Sequence, residues 1–95
     1  EFTAIEIPGR ADTFDVDEDG NLYLAEFVGV PPAIWKISSG GEATRMAGGP
    51  EALDRETGDA DGARIYAVND LVYLNGAVCF SESEFKRIRC VNGVR

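Results

Sequence analysis

The sequence predicts an all-β protein, and three observations carry that expectation. Short runs rich in Val, Ile, Leu and aromatic residues recur along the chain. Gly, Pro or Asn-Gly punctuates each of them. No stretch repeats its apolar residues at the helical period over enough length to make an amphipathic helix.

Taken in order, residues 2–7 (F-T-A-I-E-I) alternate partly and read as a strand, ended by Pro8-Gly9. A strand over 12–16 enters an acidic turn, and 21–26 (N-L-Y-L-A-E) leaves it as the next strand. Residues 27–32 hold two prolines and read as a loop, because proline cannot donate to a ladder. Residues 33–38 and 43–47 are strands joined by the Ser39-Gly40-Gly41 turn. Gly48-Gly49-Pro50 closes them, and a polar, glycine-broken linker runs over 49–66. Residues 68–74 and 77–82 are strands across Asn75-Gly76, a dipeptide suited to a type I′ hairpin. A last strand over 87–91 precedes Asn92-Gly93.

Composition narrows the function classes. The 95 residues carry a net charge of −8, with 17 acids against 9 bases. Phosphate contact needs a basic surface, so neither nucleic acid nor anionic lipid is an expected partner. No apolar run approaches the length needed to span a membrane. The chain has no histidine. That removes His-based acid–base chemistry, Ser-His-Asp and Cys-His nucleophiles and ordinary His-ligated zinc from what this chain can supply alone.

Residues 15–26 (D-V-D-E-D-G-N-L-Y-L-A-E) place Asp15, Asp17, Asp19, Gly20 and Glu26 where a calcium-binding EF-hand loop needs them. An EF-hand also needs a flanking helix on each side. Pro8-Gly9 before the loop, Pro31-Pro32 after it and the strand-forming Leu22, Tyr23 and Leu24 argue against both helices. Asp15, Asp17 and Asp19 therefore stay as a helix-free calcium candidate, weighed against a plain solvated turn. No other cofactor is expected.

The chain repeats itself. Leu22, Leu24, Glu26, Ile34 and Ile37 align with Val78, Phe80, Glu82, Ile88 and Val91, and Gly20 aligns with Gly76. The aspartates of the first turn do not recur in the second. With N-L-Y-L-A-E at 21–26, K-R-I-R-C-V at 86–91 and the M-A-G-G-P…T-G-D-A-D-G-A-R connection at 46–64, the chain resembles the NHL repeat of β-propellers over roughly residues 11–95. It departs in carrying Glu26 and Glu82 where Asp is usual, and Asn69-Asp70 at the entry to the second unit. The resemblance implies two four-stranded antiparallel propeller blades of a six-bladed type, with strand order d-abcd-abc. Blade 1 covers about 11–48. Blade 2 covers about 67–95, completed by strand 2–7 of the same or a neighbouring copy. Two blades cannot close a ring, so a ring of copies, a longer tandem array and a head-to-tail filament are the expected ways of covering their faces.

Cys79 and Cys90 fall on adjacent strands in the repeat alignment. A cross-strand disulfide, and with it an extracellular or cell-surface location, is weighed against two unpaired thiols. Trp35, Tyr23 and Phe80 are expected to fill packing between blades rather than to form a ligand shelf. The assembly candidates are Phe2, Ile5 and Ile7 in the terminal strand, Phe85 in a polar loop, and the basic Lys86, Arg87 and Arg89 facing acidic turns of another copy.

The leading expectation is a structural or interaction module that assembles with itself or with neighbouring repeats, not an enzyme. The resemblance also implies a rival, a fragment of a lactonase-type propeller hydrolase with Asp12, Asn69 and Asp70 near its axis. A calcium-stabilised adhesion repeat is the third possibility.

Overall fold

A computed structural model describes residues 4–7, 11–26, 32–48, 65, 68–82 and 86–93. Seven strands form: β1 (Ala11–Val16), β2 (Leu22–Glu26), β3 (Ala33–Ile37), β4 (Ala43–Gly48), β5 (Asp70–Leu74), β6 (Ala77–Glu82) and β7 (Arg87–Asn92). They make two antiparallel sheets, β1-β2-β3-β4 and β5-β6-β7, and no helix occurs among the described residues.

Local chemistry sets the hairpins. Asn75 (φ 50°) and Gly76 (φ 82°) both occupy the left-handed region. A two-residue type I′ turn requires that pair of conformations, and Asn-Gly tolerates it best. The β1–β2 turn is longer. The Gly20 N–H donates to the Asp17 carbonyl at 3.2 Å, and the Asp17 N–H to the Asn21 carbonyl at 3.0 Å. Ser38 and Glu42 close the β3–β4 turn in the same way, at 2.8 Å. Gly48 ends β4 at φ +83°, where an added Cβ would strike the Pro32 carbonyl oxygen and lie 2.9 Å from the Ala33 Cα. Only glycine lets the two backbones approach that closely.

The register assigns each sheet two faces, because side chains alternate along a strand. In the first sheet, Tyr23 and Ala25 lie opposite Lys36 and Ile34, and Ile34 lies opposite Ala47. In the second, Leu71 and Tyr73 lie opposite Phe80 and Val78, and Val78 opposite Val91. These two faces meet. Tyr23, Ala25, Ile34, Ala47, Leu71, Val78, Phe80 and Val91 form one buried cluster, with Ile65 and Val68. Each large apolar side chain buried there contributes roughly 1.5–3 kcal/mol relative to exposure. Leu24, Ala33 and Ile37, on the other face of the first sheet, are buried as well.

Ala4–Ile7 belong to neither sheet, and Ile5 and Ile7 are 55% and 40% exposed. The alternation of 2–7 signals strand tendency, but pairing needs an edge and a buried face, and Ile5 and Ile7 find neither. Among the described residues the second sheet has three strands, and Ala4–Ile7 of this chain do not supply the fourth, expected from strand 2–7 of the same or a neighbouring copy. Ile65, placed in the linker by its acidic surroundings, is 1% exposed and belongs to the core. The rest of the 49–66 linker, with Asp59 and Asp61, lies outside the described residues.

Candidate functional site

The acidic turn points inward. Asp17 follows β1 in the first hairpin's turn and is 6% exposed. Its carboxylate accepts from the Asp19 N–H (2.9 Å), the Asn21 N–H (3.0 Å), Asn21 Nδ2 (2.9 Å) and the Tyr23 hydroxyl (2.8 Å). Asn21 Oδ1 in turn accepts the Ser39 N–H at 3.1 Å, tying the two turns of the sheet together. Burial pushes the Asp17 carboxyl up, but the donors from Asn21, Tyr23 and Asp19 together outweigh it and hold it well below the usual carboxylate range. Burial, with the neighbouring Asp17 charge, raises the Tyr23 phenol well above its ordinary value.

That network reaches the second sheet. The Tyr23 and Tyr73 rings stack with centroids 5.4 Å apart and 7° between planes. The Tyr73 hydroxyl donates to Glu18 Oε1 at 3.2 Å. Tyr23 therefore fills packing between the sheets, as does Phe80, while half-buried Trp35 lies on the other face and donates from Nε1 to Glu26 Oε1 at 3.1 Å.

Carboxylates also cover the edge strands β1 and β5. Asp15 accepts the Val16 N–H on its own strand and the Tyr73 N–H on β5, both at 2.8 Å. Asp70 accepts the Leu71 N–H at 2.9 Å and the Thr13 hydroxyl at 3.2 Å. Bare strand N–H groups invite pairing with another chain, so these acids blunt β1 and β5 while joining the sheets.

Asp15, Asp17 and Asp19 consequently do different things. Asp15 bridges the sheets and Asp17 organises its turn. Asp19 is exposed. No group of three or more carboxylates, Cys or His able to hold a metal converges among the described residues. Of the hydrolase candidates, Asp70 is committed to Thr13 and to its own strand, Asn69 donates its N–H to the Ser81 carbonyl at 3.0 Å, and the Asp12 side chain lies outside the described residues.

The basic cluster faces inward too. Glu82 is fully buried and accepts from Arg87 Nε at 2.8 Å and Arg89 Nη1 at 3.3 Å. The Arg89 guanidinium lies 5.9 Å from the centre of the Phe80 ring. Arg87 and Arg89, expected to meet acidic turns of another copy, instead neutralise a buried carboxylate of their own chain; Lys86 is exposed. Phe2 and Phe85 lie outside the described residues.

Cys79 and Cys90 form a disulfide, directly opposite each other on β6 and β7 with Cα atoms 4.0 Å apart. The bridge lies on the outward face of the second sheet, beside Val72 (49% exposed), Leu74 (61%) and Ile88 (74%). On the opposite side of the molecule, Phe14 (65%) and Val16 (49%) project from β1. Phe14 and Val16 on one outer face, and Val72, Leu74 and Ile88 on the other, are open apolar surface among the described residues.

Sequence reasoning missed the roles of Asp17 and Glu82. The available signal for Asp17 was Tyr23, six residues on and on the inward face. For Glu82 it was the repeat, since Glu26 holds the matching place and also accepts from a side chain on the next strand, that of Trp35.

Asp17 makes an acid-stability prediction. Its folded value is depressed, so its contribution is present above the unfolded carboxylate pKa of about 3.9 and drains away as pH falls below that. Thermal melts of the wild type between pH 7 and pH 2 will show a loss beginning near pH 4. Asp17→Asn will melt lower at pH 7 and lose less on acidification. Parallel acid profiles for the two proteins would refute the assignment.

Comparison with known proteins finds no matching family model, no similar curated protein and no similar solved structure.

Proposed function

We propose that this chain is an interaction module, a pair of propeller-type blades of NHL-repeat character that associates with further copies of itself through its two outer faces. One observation carries the proposal. Each sheet has equivalent faces under the internal repeat, and the face of the first sheet that is buried between the sheets is the counterpart of the open face of the second. Tyr23, Ala25 and Ile34 correspond to Cys79, Ser81 and Ile88. Conversely, Leu71, Tyr73, Val78 and Phe80 correspond to Phe14, Val16, Leu22 and Leu24. The molecule thus carries, on opposite sides, exposed counterparts of the two faces it packs together once: Phe14 and Val16 on one side and Val72 and Ile88 on the other, Leu24 being already buried within the chain. Such a heterologous surface closes into a ring or runs on as a filament, according to the angle between units.

The commitment of Asp15, Asp17, Asp70 and Glu82 to structural hydrogen bonds favours this role over hydrolysis. The disulfide supports an oxidising, extracellular setting for it. Light scattering across a concentration series tests the proposal. A mass rising to a defined ring or an open series of oligomers is expected, and a monomer persisting at hundreds of micromolar would overturn it.

A further inference from the structure

Between Asp70, Val72, Cys79, Ser81 and Ile88, the outward face of the second sheet is hollowed into an open, mainly apolar cavity of about 230 Å³. This is below the roughly 300–1,000 Å³ of small-molecule sites. We infer that the cavity is the socket for Phe14 of a second copy of this chain, and that this knob and socket orient head-to-tail association. The inference rests on the self-association proposed above and names the residues that would carry it.

The register supplies the argument. Phe14 lies opposite Leu24 on β2, as Leu71 lies opposite Phe80 on β6. Leu71 is 5% exposed because the inward face of the first sheet covers it, whereas Phe14 is 65% exposed. That inward face carries Thr13 and Ala25. Thr13 lies opposite Ala25 there, and Ala25 shares the buried cluster with Leu71 and Phe80. The same two places on the second sheet hold Asp70 and Ser81, which line the cavity. The residue pair beside the Leu71 cluster inside the molecule therefore has its repeat counterpart where the cavity opens outside it. Val72 and Ile88 wall that opening with apolar surface, and Ile88 is 74% exposed. An aromatic side chain seated in such a pocket is the usual anchor of an interface. Asp70, already bonded to Thr13 and the Leu71 N–H, brings no unanswered polar demand to the occupant.

The test uses the whole chain in three forms: wild type, Phe14→Lys and Ile88→Lys. Both side chains are largely exposed, so urea midpoints close to wild type are expected and confirm that each variant folds. Sedimentation velocity then reads association. Each variant alone is expected to remain monomeric, because one lacks the knob and the other the socket. An equimolar mixture is expected to form a dimer that grows no further, with the intact Phe14 of one variant in the intact cavity of the other. The milder Phe14→Ala is expected to weaken wild-type association at least tenfold, as loss of an anchor side chain does. Wild-type assembly that survives both lysine variants would overturn the socket while leaving self-association standing. Two monomeric variants that fail to combine would overturn it as well, because the contact would then join like faces. A monomeric wild type would instead remove the proposed function on which the socket rests.

Discussion

Glu82→Leu will destabilise the protein by about 3–5 kcal/mol, the usual cost of removing one partner from a buried ion pair. Glu82 is fully buried, and the Arg87 and Arg89 side chains that hold it are only 19% and 11% exposed. Without the carboxylate, two largely buried guanidinium groups lose the anion they share. A domain of this size has roughly 5–15 kcal/mol of total stability, so the variant will be close to unfolding at ambient temperature. The physical cause is separable from the loss of packing. Glu82→Leu combined with Arg87→Met and Arg89→Met removes all three charges and will recover most of the stability, since well-packed apolar replacements of buried charges are often neutral. Urea denaturation of the single and triple variants measures both effects. A single variant that loses under about 1 kcal/mol, or a triple variant no better than the single, would show that the pair does not hold β6 to β7 in this way.

Reduction of the Cys79–Cys90 disulfide is expected to cost about 3 kcal/mol in the chain-entropy picture, given its sequence separation of 11. For a domain this small that lowers the melting temperature by roughly 10–20 °C. The bridge ties β7, at the edge of its sheet, to β6. It lies on the outward face, so the core contacts of Val78, Phe80 and Val91 do not depend on the sulfur atoms. Cys79→Ala/Cys90→Ala will therefore lower the midpoint without changing the β-sheet circular dichroism of the folded form. An unchanged midpoint under a phosphine reductant, with thiol titration confirming reduction, would refute the stapling role. Loss of all sheet signal at low temperature would show that the second sheet cannot form without the bridge.

Wherever local chemistry is sufficient, the strands follow from the sequence. Asn75-Gly76 could adopt only a few turn geometries, and the one it takes is the one that joins adjacent antiparallel strands. Gly20 and Gly41, both at positive φ, punctuate the β1–β2 and β3–β4 hairpins for the same reason. The alternation of Val78, Phe80 and Glu82 against Ala77, Cys79 and Ser81 marks two faces, and the repeat places Cys79 and Cys90 on adjacent strands; the register puts them opposite each other.

The candidate site was far less legible. The sequence by itself determined an all-β chain of short hairpins, the order of its strands, the alternation of their faces and the adjacency of its two cysteines. These are consequences of turn conformation and of a side-chain period of two, both set by residues close together along the chain. Tertiary structure alone decided that Asp17 turns inward to the Tyr23 hydroxyl, that Arg87 and Arg89 surround Glu82, that Ile65 enters the core and that Ala4–Ile7 pair with neither sheet. Each of those depends on what a distant segment brings within a few ångströms. A carboxylate is a metal ligand, a solvated turn or a buried anchor according to the donors it meets, and those donors are chosen by the packing of one sheet on the other.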